Sequence, residues 1–176
     1  MLYLLDASIL ITANNSYYPM DSVPEFWEWL LHMANEGHVK IPLEVFEEIK
    51  DGPDNEEKDL LYGWVQELDV KNALLLAESV DEALVQKAIT AGYAPDLTDT
   101  EVEQLGRDPF LVAYAMAAPN TRVVVTSEVS KPTKKRQNRH LPDVCKSLGA
   151  QWCDPFALNR TLGFRTNWQE ERSDHQ

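Results

Sequence analysis

The feature that most constrains the fold of this chain is a pair of short, uninterrupted apolar runs. One covers Leu2 to Leu5, and the other is a run of three valines between Arg122 and Thr126. Strands that alternate apolar and polar residues are buried on one face, whereas continuously apolar strands are buried on both. The sequence therefore predicts a parallel sheet with helices on each side.

Helical patterns separate the strand candidates along the chain. Helical spacing and capping residues predict helices at 24–33, 42–49, 56–68, 79–89, 98–105, 109–118 and 141–148, a last helix from Asp154, and a turn at 51–55. Shorter strand candidates cover 38–41 and 150–153. This alternation predicts a three-layer α/β/α fold with a central parallel sheet of four to five short strands.

The chain has the size and composition of one domain. It has 176 residues, of which 44% are hydrophobic, and no apolar run approaches the ~20 residues that span a bilayer. We expect a single domain over residues 1–166 and a polar, frayed tail over residues 167–176. Because no signal-peptide pattern is visible, we expect a cytoplasmic protein without a membrane partner, whose two cysteines are free thiols.

The net charge limits how this chain can act. It is −13 at pH 7, which excludes a protein that holds nucleic acid mainly through a basic surface. A nuclease is still allowed, because two divalent ions would cancel about four negative charges locally. An acidic surface also suits a basic protein partner.

Four acidic residues stand where the predicted elements would bring them together. Asp6 directly follows the first strand, and Glu128 follows the valine-rich strand. Asp108 opens a helix, and Glu48 lies in the helix after the second strand. Ligands of open parallel sheets bind at the carboxyl ends of the strands, and carboxylate oxygens are preferred ligands of Mg²⁺. The four acids therefore predict a metal centre.

Each of these acids also has an ordinary structural interpretation. Asp6 can simply end a strand, and Asp108, which precedes a proline, is a good helix N-cap. Glu48 lies in an acidic helix whose face can be solvated, and Glu44, one turn earlier, is the reserve candidate for its role. Glu128 alone fits an ordinary loop. The order and placement of the four, rather than any one of them, indicate a site.

Other catalytic patterns are missing from the sequence. It has no G-x-S-x-G elbow, no G-x-x-x-x-G-K-[ST] loop, no G-x-G-x-x-G and no H-E-x-x-H. A hydrolase built on serine or histidine therefore has little support. A flavodoxin-like receiver domain also gathers acids at strand ends, but it needs a lysine at the end of a later strand, and none ends the valine-rich strand.

Four segments resemble the motifs of PIN domains. They are Leu4–Ile11, with Asp-Ala-Ser at a strand end; Ile41–Ile49, a helix with a second acid; Asp108–Ala115, similar to Asp-x-x-(Leu/Ile)-x-Ala-x-Ala; and Val123–Glu128, similar to Val-Val-Thr-x-Asp. With these motifs in order over nearly the whole chain, the sequence resembles PIN-domain ribonucleases near the VapC-type toxins of toxin–antitoxin systems. It also resembles the PIN-like DUF4411 group.

The resemblance implies an endoribonuclease that depends on Mg²⁺ or Mn²⁺. It implies metal ligands at Asp6, Asp108 and Glu128, with Glu48 as the further acid. It also implies an RNA substrate and an antitoxin protein as partner. The sequence departs from the family pattern at Glu128, where aspartate is commoner, and the longer glutamate side chain can act through water.

Two further sets of residues are candidates for supporting roles. Ser8 and Thr126 can orient metal ligands through hydrogen bonds, or they can only cap the ends of strands. The segment 131–140, which follows Glu128, is a candidate for contact with RNA phosphates, and the alternative is a solvated loop. Its basic residues are Lys131, Lys134, Lys135, Arg136 and Arg139.

The aromatic segment Phe26-Trp27-Glu28-Trp29 has two interpretations. Exposed rings of this kind can stack on nucleobases. Helical spacing instead favours the protein core or an interface, such as a homodimer contact.

We therefore expect a metal-dependent endoribonuclease, the toxin of a type II toxin–antitoxin pair, that hydrolyses phosphodiesters with metal-activated water. The alternative is a catalytically weak or inactive PIN-like scaffold that acts through protein–protein binding. The charge of −13 and the glutamate at position 128 favour this alternative.

Overall fold

Four parallel strands form the centre of the computed structural model, which describes residues 1–50 and 59–173. The strands are β1 (Leu2–Leu5), β2 (Val39–Lys40), β3 (Arg122–Val125) and β4 (Gln151–Cys153), in the order β2-β1-β3-β4. β1 pairs with β3 along its whole length, from Leu2 opposite Arg122 to Leu5 opposite Val125. The prediction of a parallel sheet of four to five short strands is confirmed.

Helices cover both faces of this sheet. Leu4 and Leu5 of β1, and Val124 and Val125 of β3, are each 0% exposed. Because successive side chains of a strand point to opposite faces, the burial of neighbours requires a layer on each side. The predicted three-layer α/β/α architecture is confirmed.

The α-helices of the described residues connect and cover the strands. They are α1 (Ala7–Thr12), α2 (Pro24–Asn35), α3 (Leu43–Lys50), α4 (Asp59–Gln66), α5 (Leu68–Leu74), α6 (Glu82–Lys87), α7 (Asp99–Gln104), α8 (Asp108–Ala117), α9 (Leu141–Leu148), α10 (Pro155–Thr161) and α11 (Trp168–Ser173). π-helical turns follow α1 at Ala13–Tyr17 and α6 at Ala88–Tyr93. Within residues 1–50 and 59–173, no helix is long and apolar enough to cross a membrane.

The strand order reverses between β1 and β3. From β1 the chain proceeds to β2 on one side, then crosses the sheet to β3 and β4 on the other. In open parallel sheets, such a reversal leaves a crevice at the carboxyl ends of the two strands. The topology therefore places a crevice directly after Leu5 and Val125.

The aromatic segment of α2 lies in the core. Phe26, Trp27 and Trp29 are at most 4% exposed. Phe26 stacks on Tyr18 with ring centroids 4.2 Å apart, and the indole N–H of Trp27 donates to the carbonyl oxygen of Tyr18 at 2.8 Å. The core interpretation is confirmed, so these rings cannot stack on nucleobases.

Two local predictions differ from the structure. The helix predicted over 56–68 ends at Gln66, because Glu67 takes an extended backbone conformation before α5 begins. Residues 168–173, predicted as part of a frayed tail, form α11, and Trp168 stacks on His32 of α2 with centroids 5.2 Å apart. The predicted turn at 51–55 lies outside the described residues.

Candidate active site

Asp6 lies at the end of β1, in the crevice. Its backbone N–H donates to the carbonyl oxygen of Val125 at 3.0 Å, which ties it to the end of β3. Its carboxylate oxygen Oδ2 accepts hydrogen bonds from the hydroxyls of Ser8, at 2.6 Å, and Thr126, at 3.0 Å. Asp6 is only 9% exposed. It is therefore a carboxylate held in one orientation, and it also caps α1, because Oδ1 accepts the backbone N–H of Ser8 at 3.4 Å.

Ser8, in the first turn of α1, and Thr126, directly after β3, donate to the same oxygen of Asp6. The hydroxyl of the fully buried Thr126 also accepts the backbone N–H of Glu128 at 3.2 Å. The Ser8 hydroxyl lies 3.2 Å from the hydroxyl of Ser127. This geometry fits the positioning role that we predicted for both residues, since each hydroxyl restricts the orientation of the acidic side chain.

Asp108 is the first residue of α8, but its carboxylate does not cap that helix. The N-cap is Arg107, which makes no side-chain capping bond. Oδ2 of Asp108 instead accepts a hydrogen bond from the hydroxyl of Tyr93 at 3.3 Å. The N-cap interpretation of Asp108 is therefore wrong, because its side chain turns from the helix backbone to a tertiary partner.

Of the two acids considered on α3, Glu48 is the one beside the site. The Glu48 carboxylate lies next to Gly106, just before the start of α8. If residue 106 carried a Cβ atom, that atom would be 3.5 Å from Oε1 of Glu48. Partial burial and then the charge of Asp6 raise the pKa of Glu48. Glu44 instead lies beside Tyr114, whose pKa is raised to about 12 by burial and then by Glu44. The geometry therefore favours Glu48 as the second acid.

Glu128 is tied to the start of α9. Its Oε2 accepts a hydrogen bond from the backbone N–H of Leu141 at 2.6 Å and lies 3.8 Å from Nδ1 of His140. A negative charge at the first turn of a helix also interacts favourably with the helix dipole. Glu128 therefore has a structural role that an ordinary loop residue lacks, and its Oε1 is the oxygen left for a ligand.

The four carboxylates interact electrostatically. Burial, and then the charges of Asp6, Glu128 and Glu48, raise the pKa of Asp108 well above its usual range, and the hydrogen bond from Tyr93 opposes this rise. Carboxylates that raise one another's pKa in this way repel when they are ionised. The group therefore costs stability unless a cation or a proton joins it.

The chemistry of this donor set fits a divalent cation. Mg²⁺ and similar hard ions are held by a few carboxylates together with water and substrate phosphates. In the part of the chain that the structure describes, no three carboxylate, imidazole or thiol groups converge closely enough to hold a metal ion where they stand. The side chains would have to draw together, which a cation favours because it reverses their repulsion. Asp6, Asp108 and Glu128 are the candidate ligands.

Two basic residues of the segment 131–140 have structural partners. Arg136 forms ion pairs with Asp96 and Glu101, each at 2.8 Å. Arg139 donates to the carbonyl oxygen of Gly92. These contacts hold the segment against α7 and the turn after α6, which differs from the phosphate contacts that we predicted for both arginines.

The lysines of the same segment are available for other contacts. Lys131, Lys134 and Lys135 are exposed and form no ion pair with the described residues. The start of the segment is anchored, because the Ser130 hydroxyl and the backbone N–H of Lys131 donate to Asp143 at 2.6 and 2.7 Å. The segment is therefore not a freely solvated loop, because hydrogen bonds to Asp143 fix the backbone where the segment begins.

Two residues of the site were not predicted from the sequence. Arg107 lowers the pKa of Glu48, and its guanidinium lies 5.9 Å from the ring centroid of Phe110. The position of Arg107, directly before Asp108, could have indicated from the sequence that it lies near the acidic residues. Tyr93 gave no such signal, because it meets Asp108 only through packing of the turn after α6 against α8.

One known family matches this chain over all the acidic residues of the site. The sequence model of a family described as a domain of unknown function (DUF4411) matches residues 3–166. The chain belongs to the DUF4411 family. The DUF4411 match includes all four acids and ends before α11. No curated protein shows a significant match to this chain.

Proposed function

We propose that this DUF4411 protein is a metal-dependent endoribonuclease that hydrolyses RNA phosphodiester bonds. The observation that carries the proposal is the electrostatic coupling of Asp108 to Asp6, Glu128 and Glu48 at the strand reversal. Such a cluster destabilises a fold by itself, so its presence points to a function that uses the charges. The likeness of the four motifs to PIN domains, and to VapC-type toxins among them, supports the same chemistry.

Three of the acids are assigned to the metal. Asp6, Asp108 and Glu128 would hold Mg²⁺ or Mn²⁺, with Ser8 and Thr126 keeping the Asp6 carboxylate oriented. The ion, when bound, supplies Lewis-acid activation of the phosphate and of water. Lys131, Lys134 and Lys135 would contact phosphates beyond the scissile bond.

Glu48 is assigned as the base. Its raised pKa makes its carboxylate a stronger proton acceptor than an ordinary glutamate. Glu48 would take a proton from the water whose oxygen bonds to phosphorus, while the bond from phosphorus to the leaving oxygen breaks in line. If this assignment is right, cleavage requires the carboxylate at position 48 and does not depend on the other charged residues of α3.

The decisive experiment is cleavage of a mixed RNA pool by the purified chain. We expect fragments with Mn²⁺, none with EDTA, and none from the Asp6→Asn variant, whose amide oxygen can still accept the hydrogen bonds of the Ser8 and Thr126 hydroxyls. The variant, purified in the same way, also controls for contaminating nucleases. Full activity of Asp6→Asn at saturating Mn²⁺ would refute the metal role of Asp6.

A matched pair of variants on α3 tests the base. Glu47 and Glu48 are adjacent and both exposed, but only Glu48 is coupled to Asp6. Glu48→Gln should lower the rate constant for cleavage by about 100-fold or more, as loss of a general base does, and Glu47→Gln should leave it unchanged. Equal rates for the two variants would remove Glu48 from the mechanism.

We propose further that the chain is the toxin of a type II toxin–antitoxin pair. The resemblance to VapC-type toxins supports this, and a charge of −13 suits a basic antitoxin. Expression of the wild type in growing bacteria should arrest growth, whereas Asp6→Asn should not. Continued growth with both proteins would overturn the toxin role and leave the nuclease proposal in place.

A non-catalytic PIN-like scaffold is the second candidate function. Two observations favour it: Glu128 is already bonded to the start of α9, and an open groove of about 520 Å³ lies between α2 and α4. Trp27, Leu31, Leu60 and Trp64 line this groove beside acidic residues, which suits a basic, partly apolar protein segment. Calorimetric titration with Mn²⁺ separates the candidates, because a scaffold need not bind the ion.

A further inference from the structure

Two exposed aromatic rings lie together outside the core. Tyr17 is 51% exposed and Phe156 is 42% exposed. The rings meet edge to face, with centroids 5.1 Å apart and planes at 79°. In an edge-to-face pair, each ring keeps at least one face that its partner does not cover. The pair therefore presents aromatic surface to solvent.

This aromatic pair lies at the same edge of the sheet as the acids. Tyr17, Phe156 and Ser127 line one pocket. The Ser127 hydroxyl is 3.2 Å from the hydroxyl of Ser8, which in turn donates to Asp6 at 2.6 Å. Phe156 also lies in the first turn of α10, which begins just after the carboxyl end of β4. Two hydroxyl groups therefore connect the aromatic pair to the candidate active site.

We propose that Tyr17 and Phe156 form a stacking platform for an unpaired base of single-stranded RNA whose backbone lies at the acidic centre. The proposal rests on the nuclease function and specifies the substrate. The pocket beneath the rings has a volume of only about 20 Å³, which is too small for a base. A base would therefore stack on the outer face of a ring, where any of the four bases gains similar contact.

A stacking platform at this surface predicts that a single strand binds more tightly than a duplex. Bases in an A-form helix are stacked on one another, and their faces are closed to protein side chains. An unpaired base is free to lie on an aromatic ring. Arg160 is exposed, lies one turn beyond Phe156 on α10 and forms no ion pair with the described residues. It can contact the phosphate of the neighbouring nucleotide.

The test is equilibrium binding of a fluorescent 12-nucleotide single-stranded RNA in Mg²⁺, with Asp6→Asn present in every protein to prevent cleavage. Phe156→Leu and Tyr17→Leu keep an apolar side chain but remove the π face, and each should weaken binding by about tenfold. Phe156→Trp should retain the affinity, because it retains a ring. Tyr62→Leu is the control, since Tyr62 is 45% exposed on α4 and does not line this pocket.

A second probe is the blunt duplex of the same sequence. It should bind more weakly than the single strand, and Phe156→Leu should not change its affinity. Equal single-strand affinities for Phe156→Leu and its parent would overturn the stacking proposal, and so would a parent that binds no single strand. The nuclease proposal fails by a separate measurement, when the chain with Asp6 restored does not cleave the same strand in Mn²⁺.

Discussion

Asparagine at position 108 should make the protein more stable when no divalent ion is bound. The ionised form of Asp108 is disfavoured in the folded chain, because burial and then Asp6, Glu128 and Glu48 raise its pKa well above the usual range. Asparagine has nearly the same shape, carries no charge and can still accept the hydrogen bond of Tyr93. Asp108→Asn therefore removes repulsion while it preserves packing.

The gain in the free energy of unfolding is expected to grow with the upward displacement of the Asp108 pKa. A tenfold change in the ionisation constant of an acid corresponds to about 1.4 kcal/mol. The hydrogen bond from Tyr93 to the ionised carboxylate opposes this displacement and is already included in it, so it subtracts nothing further. In a chain of this length, 1 kcal/mol moves Tm by about 2–4 °C, so the change is well within calorimetric precision.

The gain should depend on pH in one direction. The folded wild type takes up a proton on Asp108 at a higher pH than the unfolded chain does, so its stability falls as pH rises through the folded pKa. The variant lacks this titration. Its advantage should therefore be complete above the folded pKa of Asp108, and should shrink as the pH approaches the ordinary aspartate pKa of about 4.

Scanning calorimetry in EDTA between about pH 4 and pH 8 measures this difference. Glu103→Gln is the control, because Glu103 is an exposed acid on α7 and its loss should leave Tm unchanged. Added Mn²⁺ should raise the Tm of the wild type more than that of Asp108→Asn, since the variant lacks one ligand. A variant that melts below the wild type at pH 8 in EDTA, or a Tm difference that is constant with pH, would refute the repulsion.

Substitutions at five further positions test other contacts. Tyr93→Phe removes a hydrogen bond that lowers the pKa of Asp108. The pKa of Asp108 should therefore rise, and the acidic limb of the pH–rate profile for cleavage should move to higher pH. Glu128→Ala should lower the unfolding free energy in urea by about 1 kcal/mol, because α9 loses the acceptor at its first turn; Glu128→Gln should lose much less. Gly92→Ala should destabilise the fold by about 1–3 kcal/mol in the same assay, because the new methyl group would lie 2.9 Å from two side chains of α9. Arg136→Ala should lower Tm and leave RNA affinity unchanged, whereas Lys134→Ala should flatten the salt dependence of that affinity.

Local sequence determined the elements of this fold. The continuous apolar runs at 2–5 and 123–125 lie in β1 and β3, since only a strand with a layer on each face buries every residue of such a run. Gly149 ends α9 with a left-handed φ of 72°, and Asp81 caps α6 through its side chain. These features depend on residues within one turn of one another, so the chain specifies them before it folds. The placement of acids after strands also indicated the edge of the sheet at which the site lies.

Tertiary structure alone decided which groups meet at that edge. Asp6 and Thr126 are 120 positions apart and share a hydrogen bond, and no local pattern specifies such a contact. Glu44 and Glu48 have the same chemistry one turn apart, and only the packing of α3 beside α8 separates their roles. Arg136 was indistinguishable from the lysines before it until the fold brought Asp96 and Glu101 to it. Sequence patterns report the type and spacing of side chains, whereas partners are chosen by the arrangement of elements that are distant along the chain.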